Sequence, residues 1–287
     1  MSKFRIVTDG SCDLPQDWCK QHQITVIPLY FSISSAIPEA YPGSRAFPMS
    51  EFYEMLRKGT TMRTSSPSIE DCKDILRPML AEGFHLVYTG LSSKLSGTFN
   101  VMRLAAMELA EEFPRQRIAV LDSAGGSLGL GMLLRRMTQA RENGESYEAV
   151  CALCENERKR IGCWFTVSDL MFLKRGGRIS GGTAIMGTVL QIMPMLRVTP
   201  EGTITPYSKV RGRKAALRAL ADELGNAAES GTAVAIGHCD AQEDAVFVRD
   251  ILRRKFGIRE VQISEIGPVL GVHAGPDAIA GFCFKRT

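Results

Sequence analysis

Apolar runs of strand length alternate with longer segments whose apolar residues recur every three or four positions, the two periods that distinguish strands from helices. Residues 4–8 read as a first strand. Residues 24–31 read as a second, near a sheet edge because Pro28 has no N–H to give a ladder. Residues 36–48, with Pro38, Pro42, Gly43 and Pro48, read as a loop, and Ser50 caps a helix through Phe52, Met55 and Leu56 that stops at Gly59. Pro67 at a first helical position makes Ser66 the N-cap of a helix through Ile69, Cys72, Ile75, Leu76 and Met79. A strand at 84–88 leads to a helical stripe through Leu104, Met107 and Leu109, and a strand at 117–121 leads to a helix reaching Asn143-Gly144. Such alternation predicts a parallel sheet with helices on both faces. Ligands of such sheets bind beyond the carboxyl ends of the strands, which gathers Asp9, Ser96 and Asp122 on one edge.

The pattern changes after a helix at 147–160. A strand at 163–168 precedes a short helix ending in Lys174-Arg-Gly-Gly-Arg-Ile-Ser-Gly-Gly182, and residues 193–198 and 204–210 form a hairpin around Glu201-Gly202. Helix 213–224, strand 233–238, a helix to 256 and strand 260–266 follow. The segment 267–276 bends too often to be regular and presents His273 between glycines. With 287 residues the chain exceeds what one core usually supports. The expected fold class is therefore α/β in two domains. Residues 1–160 form an N-terminal parallel-sheet, Rossmann-like domain, and 161–287 a mixed α/β domain with the closing His273 segment.

Composition changes little in this picture: 45% apolar and 23% charged residues are ordinary for a globular protein. A net charge of +4 is too small and dispersed to suggest nucleic acid, and Arg158-Lys-Arg160 reads as a helix C-terminus. No run reaches eighteen apolar residues and the N-terminus enters a strand at once, so a cytoplasmic, non-membrane-spanning protein with reduced cysteines is expected.

Candidate chemistry concentrates in two hydroxyl-rich segments. The loop Thr89-Gly-Leu-Ser-Ser-Lys-Leu-Ser-Gly-Thr98 carries seven small or hydroxyl residues into a helix N-terminus, where free N–H groups and the helix dipole favour an anion. Arg63-Thr-Ser-Ser-Pro-Ser68 places a second cluster at a second helix start. Plain capping needs one hydroxyl in each, so Thr64, Ser65, Ser96, Gly97 and Thr98 become ligand candidates. Cys151-x-x-Cys154 lies within a helical pattern with no second Cys/His pair at a usual interval, so no metal is expected. P-loop and dinucleotide fingerprints are absent. Ser96, His273 and Asp122 could form a nucleophile, base and orienter, although Leu95-Ser-Gly lacks the glycine two residues before the serine that a nucleophile elbow requires.

Asp9-Gly-Ser-Cys-Asp-Leu-Pro15, Thr64-Ser-Ser-Pro-Ser68, Leu95-Ser-Gly-Thr-Phe99, Leu121-Asp-Ser123, Lys174-Arg-Gly-Gly-Arg-Ile-Ser180 and His273-Ala-Gly-Pro276 together resemble the successive signatures of the DegV family. These are bacterial fatty-acid-binding proteins that serve as the acyl-carrying subunit of fatty acid kinase. The resemblance implies a two-domain DegV-type α/β fold with a buried acyl chain. It implies a carboxylate held by Thr64, Ser96 and His273, and a family arginine at Arg211. It also implies an ATP-dependent fatty acid kinase subunit as partner, a place in phospholipid metabolism, and no cofactor besides the fatty acid ligand. The family's Ser-Thr or Ser-Ser is Gly10-Ser11 here, its Gln is Ser66, a common lysine is Met193, and a usual glycine is Asp277.

Each buried methylene contributes ~0.8 kcal/mol, so a long acyl chain gains on the order of 10 kcal/mol gross and its head group supplies orientation more than strength. The expected function is non-catalytic: binding a long-chain fatty acid and presenting its carboxylate to a separate kinase for conversion to acyl phosphate. A serine hydrolase using Ser96 and His273, or a binding module for a small anionic metabolite, stand as alternatives. Arg178, beyond Gly176-Gly177, is expected to project a guanidinium for partner docking.

Overall fold

A computed structural model describes residues 3–34, 38–41, 48–179 and 192–286. Four parallel strands build the first sheet: β1 (Phe4–Asp9), β2 (Ile24–Ile27), β6 (His85–Gly90) and β7 (Ile118–Asp122), in the order β2-β1-β6-β7. Alternation divides its side chains between two cores. Ile6 and Val87 meet α1 (Gln16–Gln21), α5 (Ser127–Glu142) and α6 (Tyr147–Glu157) on one face. Val7, Leu86 and Tyr88 meet α3 (Ile69–Ala81) and α4 (Thr98–Glu112) on the other. Burial on both faces is what makes these strands nearly continuous apolar runs.

The expected single strand at 24–31 is two strands. Pro28 ends β2, and the chain continues as β3 (Leu29–Ile33) in a separate antiparallel sheet between β4 (Glu39–Tyr41) and β5 (Met62–Ser65). β2 is an edge strand of the first sheet. α2 (Met49–Arg57) packs Phe52 and Tyr53 beside Phe31 of β3.

The second large sheet is mixed, in the order β10-β9-β8-β13-β11-β12. Its strands are β8 (Ile161–Thr166), β9 (Ile192–Val198), β10 (Ile204–Arg211), β11 (Val234–His238), β12 (Val261–Glu265) and β13 (Ile279–Phe284). α7 (Met171–Arg175) follows β8, and α8 (Arg213–Ala227) and α9 (Gln242–Phe256) cover one face. Even-numbered residues of β13, Ala280, Phe282 and Phe284, point to the opposite face, where they join Leu128 and Met132 of α5 and the α2 aromatics. α5 thus serves both cores and is buried nearly all round. The turn Arg158–Arg160 connects α6 to β8, the first strand of the second large sheet in chain order.

Five expectations need correction. Pro48, not Ser50, holds the N-cap position of α2, with no side-chain cap bond. Ser68, not Ser66, caps α3, through a capping box with Asp71 at 3.0 Å in both directions. Met107 is 57% exposed, and the buried stripe of α4 runs through Met102, Ala105, Ala106 and Leu109. The closing segment is regular: α10 (Pro268–Ala274), with Pro268 at its first position. β13, absent from the sequence reading, lies in the middle of the second sheet. Met193 packs against the core under α8, and Asp277 takes φ 63°, where glycine is favoured, with its carboxylate 2.7 Å from Arg57. Ser180 and Gly181-Gly182 lie outside the described residues.

Candidate functional site

The carboxyl ends of β1, β6 and β7 converge as expected, but their acids are occupied with structure. Asp9 is buried and accepts hydrogen bonds from the Ser11 backbone N–H and hydroxyl, the Tyr88 hydroxyl and Leu91 N. Asp122 accepts from Ser93 N and Ala124 N. These bonds fix the loop after β6, whose far end opens α4.

At that helix start Thr98 is fully buried, its hydroxyl 2.9 Å from Ser96 Oγ and 3.0 Å from Ser66 Oγ. Ser66, beside Thr98 and not at a helix cap, joins the two hydroxyl segments into one cluster. Thr64, on β5, lies 2.7 Å from His273 Nε2 on α10. His273 Nδ1 is buried without a hydrogen-bond partner among the described residues and faces Gly176. A Cβ at Gly176 would sit far inside contact distance of Nδ1 and 3.1 Å from Cε1, so that glycine admits the ring. Burial, and then the positive charge of Arg178, push His273 down to about 4, leaving it neutral at pH 7.

Arg178 does not project outward. It is half-buried, donates from Nε to Leu95 O at 2.9 Å and from Nη1 to Gly176 O, and ties α7 to the hydroxyl loop. The residues after the second glycine turn back onto the site, which a sequence pattern of glycines and cations cannot distinguish from projection.

Two cavities meet at this cluster, since Thr64, Arg178 and His273 line both. One, of about 190 Å³, runs between the units. Its described lining includes Ser65, Ser66, Ser96, Gly97 and Thr98, then Leu91, Val269 and Leu270, and Ile161, Phe165 and Phe282 from the second sheet and its approach. The other, of about 460 Å³, is lined by Thr60, Thr61, Arg63 and Arg175 besides the shared three. The apolar lining was not legible residue by residue, because a cavity wall and a core present the same side chains to a sequence.

Arg211 ends β10, exposed, in register with Ile192, and is not among the described residues lining either cavity.

The β9–β10 turn closes over the first cavity, with Thr199, Pro200 and Ile204 in its wall. Gly202, at φ 87°, rests on the hydroxyl loop: Ser92 donates to its carbonyl at 2.9 Å, and a Cβ there would come within 3.0 Å of Ala124 Cα. The trio Ser96, His273 and Asp122 is not assembled for hydrolysis. Ser96 pairs with Thr98, His273 with Thr64, and Asp122 with backbone N–H groups. Cys151 and Cys154 pack from α6 on the first sheet, and among the described residues no cluster of metal-ligating side chains occurs. No helix among the described residues is long and apolar enough to cross a membrane.

A DegV domain-containing protein of Clostridium perfringens is 32% identical over 289 residues, covering 100% of this chain and 99% of its own. A structure described as showing fatty acid binding of a DegV family protein from Thermus thermophilus matches at 30% identity, with TM-score 0.86 over 99% of this chain and 100% of that one. DegV of Bacillus subtilis, described as a fatty acid binding protein, matches at 27% identity and TM-score 0.83, over 99% and 100%. The family model described as uncharacterised protein, DegV family, matches residues 3–286, and the chain accordingly belongs to the DegV family.

Proposed function

We propose that this protein binds a long-chain fatty acid in the cavity between its two units and presents the carboxylate to a separate ATP-dependent kinase. The observation carrying this reading is the junction itself: an apolar cavity ends in hydroxyls, an imidazole and a guanidinium, and Thr64, His273 and Arg178 among them also line a second cavity that carries Arg63 and Arg175. Thr64, Ser65, Ser96, Gly97, Thr98 and His273 orient the carboxylate, and Arg178 neutralises it. The described fatty acid binding of the Thermus thermophilus and Bacillus subtilis proteins supports the ligand class.

Arg63, Arg175 and Arg178 around the second cavity suit an anionic phosphoryl donor. A carboxylate oxygen bonds to the terminal phosphorus as the bridging oxygen leaves, giving acyl phosphate. The donor and its metal belong to the partner. The docking role expected of Arg178 passes more readily to Arg175, which is exposed.

Lipid extraction of the purified protein followed by mass spectrometry tests the ligand. A co-purified fatty acid at near-stoichiometric yield is expected; an empty site that takes up no added fatty acid overturns the reading. Adding kinase and ATP, then trapping with hydroxylamine, tests the second half through acyl hydroxamate formation.

A further inference from the structure

The peptide that joins Ile266 to Gly267, between β12 and α10, is gripped at both ends by buried side chains from far earlier in the chain. Its carbonyl accepts from the Tyr53 hydroxyl at 2.6 Å, and its N–H donates to Asp13 Oδ1 at 3.0 Å. The other carboxylate oxygen of Asp13 accepts from Ser127 Oγ at 2.6 Å, where α5 begins. Tyr53, Asp13 and Ser127 are 0%, 8% and 4% exposed, so water competes little for these bonds. Asp13 and Ser127 both hold positive φ, 48° and 51°, a conformation that a residue with a Cβ keeps only where its surroundings fix it.

α10 has seven residues, too few to be a stable helix by itself. Its backbone runs against α2: a Cβ at Gly271 would come 2.6 Å from the Tyr53 hydroxyl and 3.1 Å from Phe52 Cε1. The clamped peptide and α2 therefore set its direction. His273 lies about 9 Å along the axis from Gly267. A tilt of about 10° at the joint shifts the imidazole by roughly 1.5 Å, enough to break its bond to Thr64.

We propose that Asp13, backed by Tyr53, is a positioning residue that holds α10 at the angle which brings His273 into the head-group cluster. Ile266 and Ser127 line the apolar cavity, so the same clamp fixes α10 against the α5 wall. The consequence for ligand affinity rests on the acyl-site reading; the placing of His273 does not.

The test uses the full chain with Asp13→Ala, Asp13→Asn, Tyr53→Phe and His273→Ala, alone and combined. Two quantities are measured: affinity for a fluorescent fatty acid, and the pH titration of the His273 Cε1–H resonance in ligand-free protein. Asparagine keeps an oxygen for Gly267 N–H and offers an amide N–H to Ser127 Oγ. Asp13→Ala should weaken binding about tenfold, and Asp13→Asn should stay within about twofold of wild type. In a His273→Ala background, Asp13→Ala should cost less than about twofold more, because no imidazole remains to be placed. General loosening of the fold would cost the same in both backgrounds. Unchanged affinity in Asp13→Ala, failure of asparagine to rescue, or equal losses with and without His273 overturns the proposal. If Asp13→Ala does not fold, Tyr53→Phe replaces it, with a loss of about threefold expected only where His273 is present; an equal loss without His273 overturns the proposal. If the wild type binds no fatty acid, the acyl-site reading fails and the resonance decides alone. His273 should titrate at higher pH in the Asp13 or Tyr53 variant than in wild type, as the ring leaves its buried seat, and identical titrations overturn the positioning.

Discussion

Gly176 packs edge-on against the His273 ring so closely that the imidazole occupies the space a Cβ would need. Gly176 itself has φ −71°, which alanine adopts freely. Gly176→Ala should therefore displace His273 rather than strain α7, and fatty acid affinity should fall roughly tenfold or more as a bond to the charged carboxylate is lost. A displacement titration checks this, and unchanged affinity would remove His273 from the site.

Ser96→Ala and His273→Ala should each weaken binding by roughly 1.5–3 kcal/mol, the worth of one hydrogen bond to a charged group. Neither side chain belongs to the packed cores, so the melting temperature of ligand-free protein should hardly move. If both groups serve one carboxylate, the double variant loses less than the sum. Strict additivity would assign them to separate tasks.

Arg178→Ala deletes the bond to Leu95 O as well as a charge. It should lower both fatty acid affinity and thermal stability. Arg175→Ala, by contrast, should leave both intact and reduce acyl hydroxamate yield in the reconstituted pair. The reverse pattern would return the docking role to Arg178.

Acid titration separates two buried groups. His273 has an ordinary value of 6.5 and a folded value of about 4. Between those limits the unfolded chain binds a proton that the fold refuses, so stability present above pH 6.5 is lost as pH falls towards 4. Asp13 acts oppositely: burial raises it from 3.8 to about 7, so its contribution is complete below 3.8 and lost as pH rises through 7. Comparing wild type with His273→Gln cancels the Asp13 part. The wild type should lose stability relative to the variant as pH falls from 7 to 4, measured by urea melts; a flat difference would mean that His273 titrates as in water.

The first sheet was legible because each of its strands is a short apolar run followed by a helical period, and local pattern decides such elements. The hydroxyl clusters were legible too, since Ser96 and Thr98 exceed what one cap uses. What escaped depends on contacts distant in sequence. Pro28 separates two strands that share one apolar pattern. Gly271 and Gly275 hid α10, although Pro268 at its start and a glycine at its end are themselves helix signals. β13 is buried on both faces and carries Gly281, so no alternation announced it. Arg178 turns inward only because Leu95 O awaits it.

Thr64 and His273 are separated by 209 positions along the chain, yet their side chains touch. Contacts of that span carry the largest loop-closure entropy and belong to the slow part of folding. The head-group pocket is therefore finished only after His273 has left the ribosome and reached Thr64. A nascent or clipped chain offers an acyl ligand hydroxyls without the imidazole. Occupancy thereby becomes a certificate of completeness: ligand at a hundredfold excess over Kd adds about 2.7 kcal/mol to the intact molecule alone, so protease resistance in fatty-acid-replete cells should track full-length protein and not its fragments.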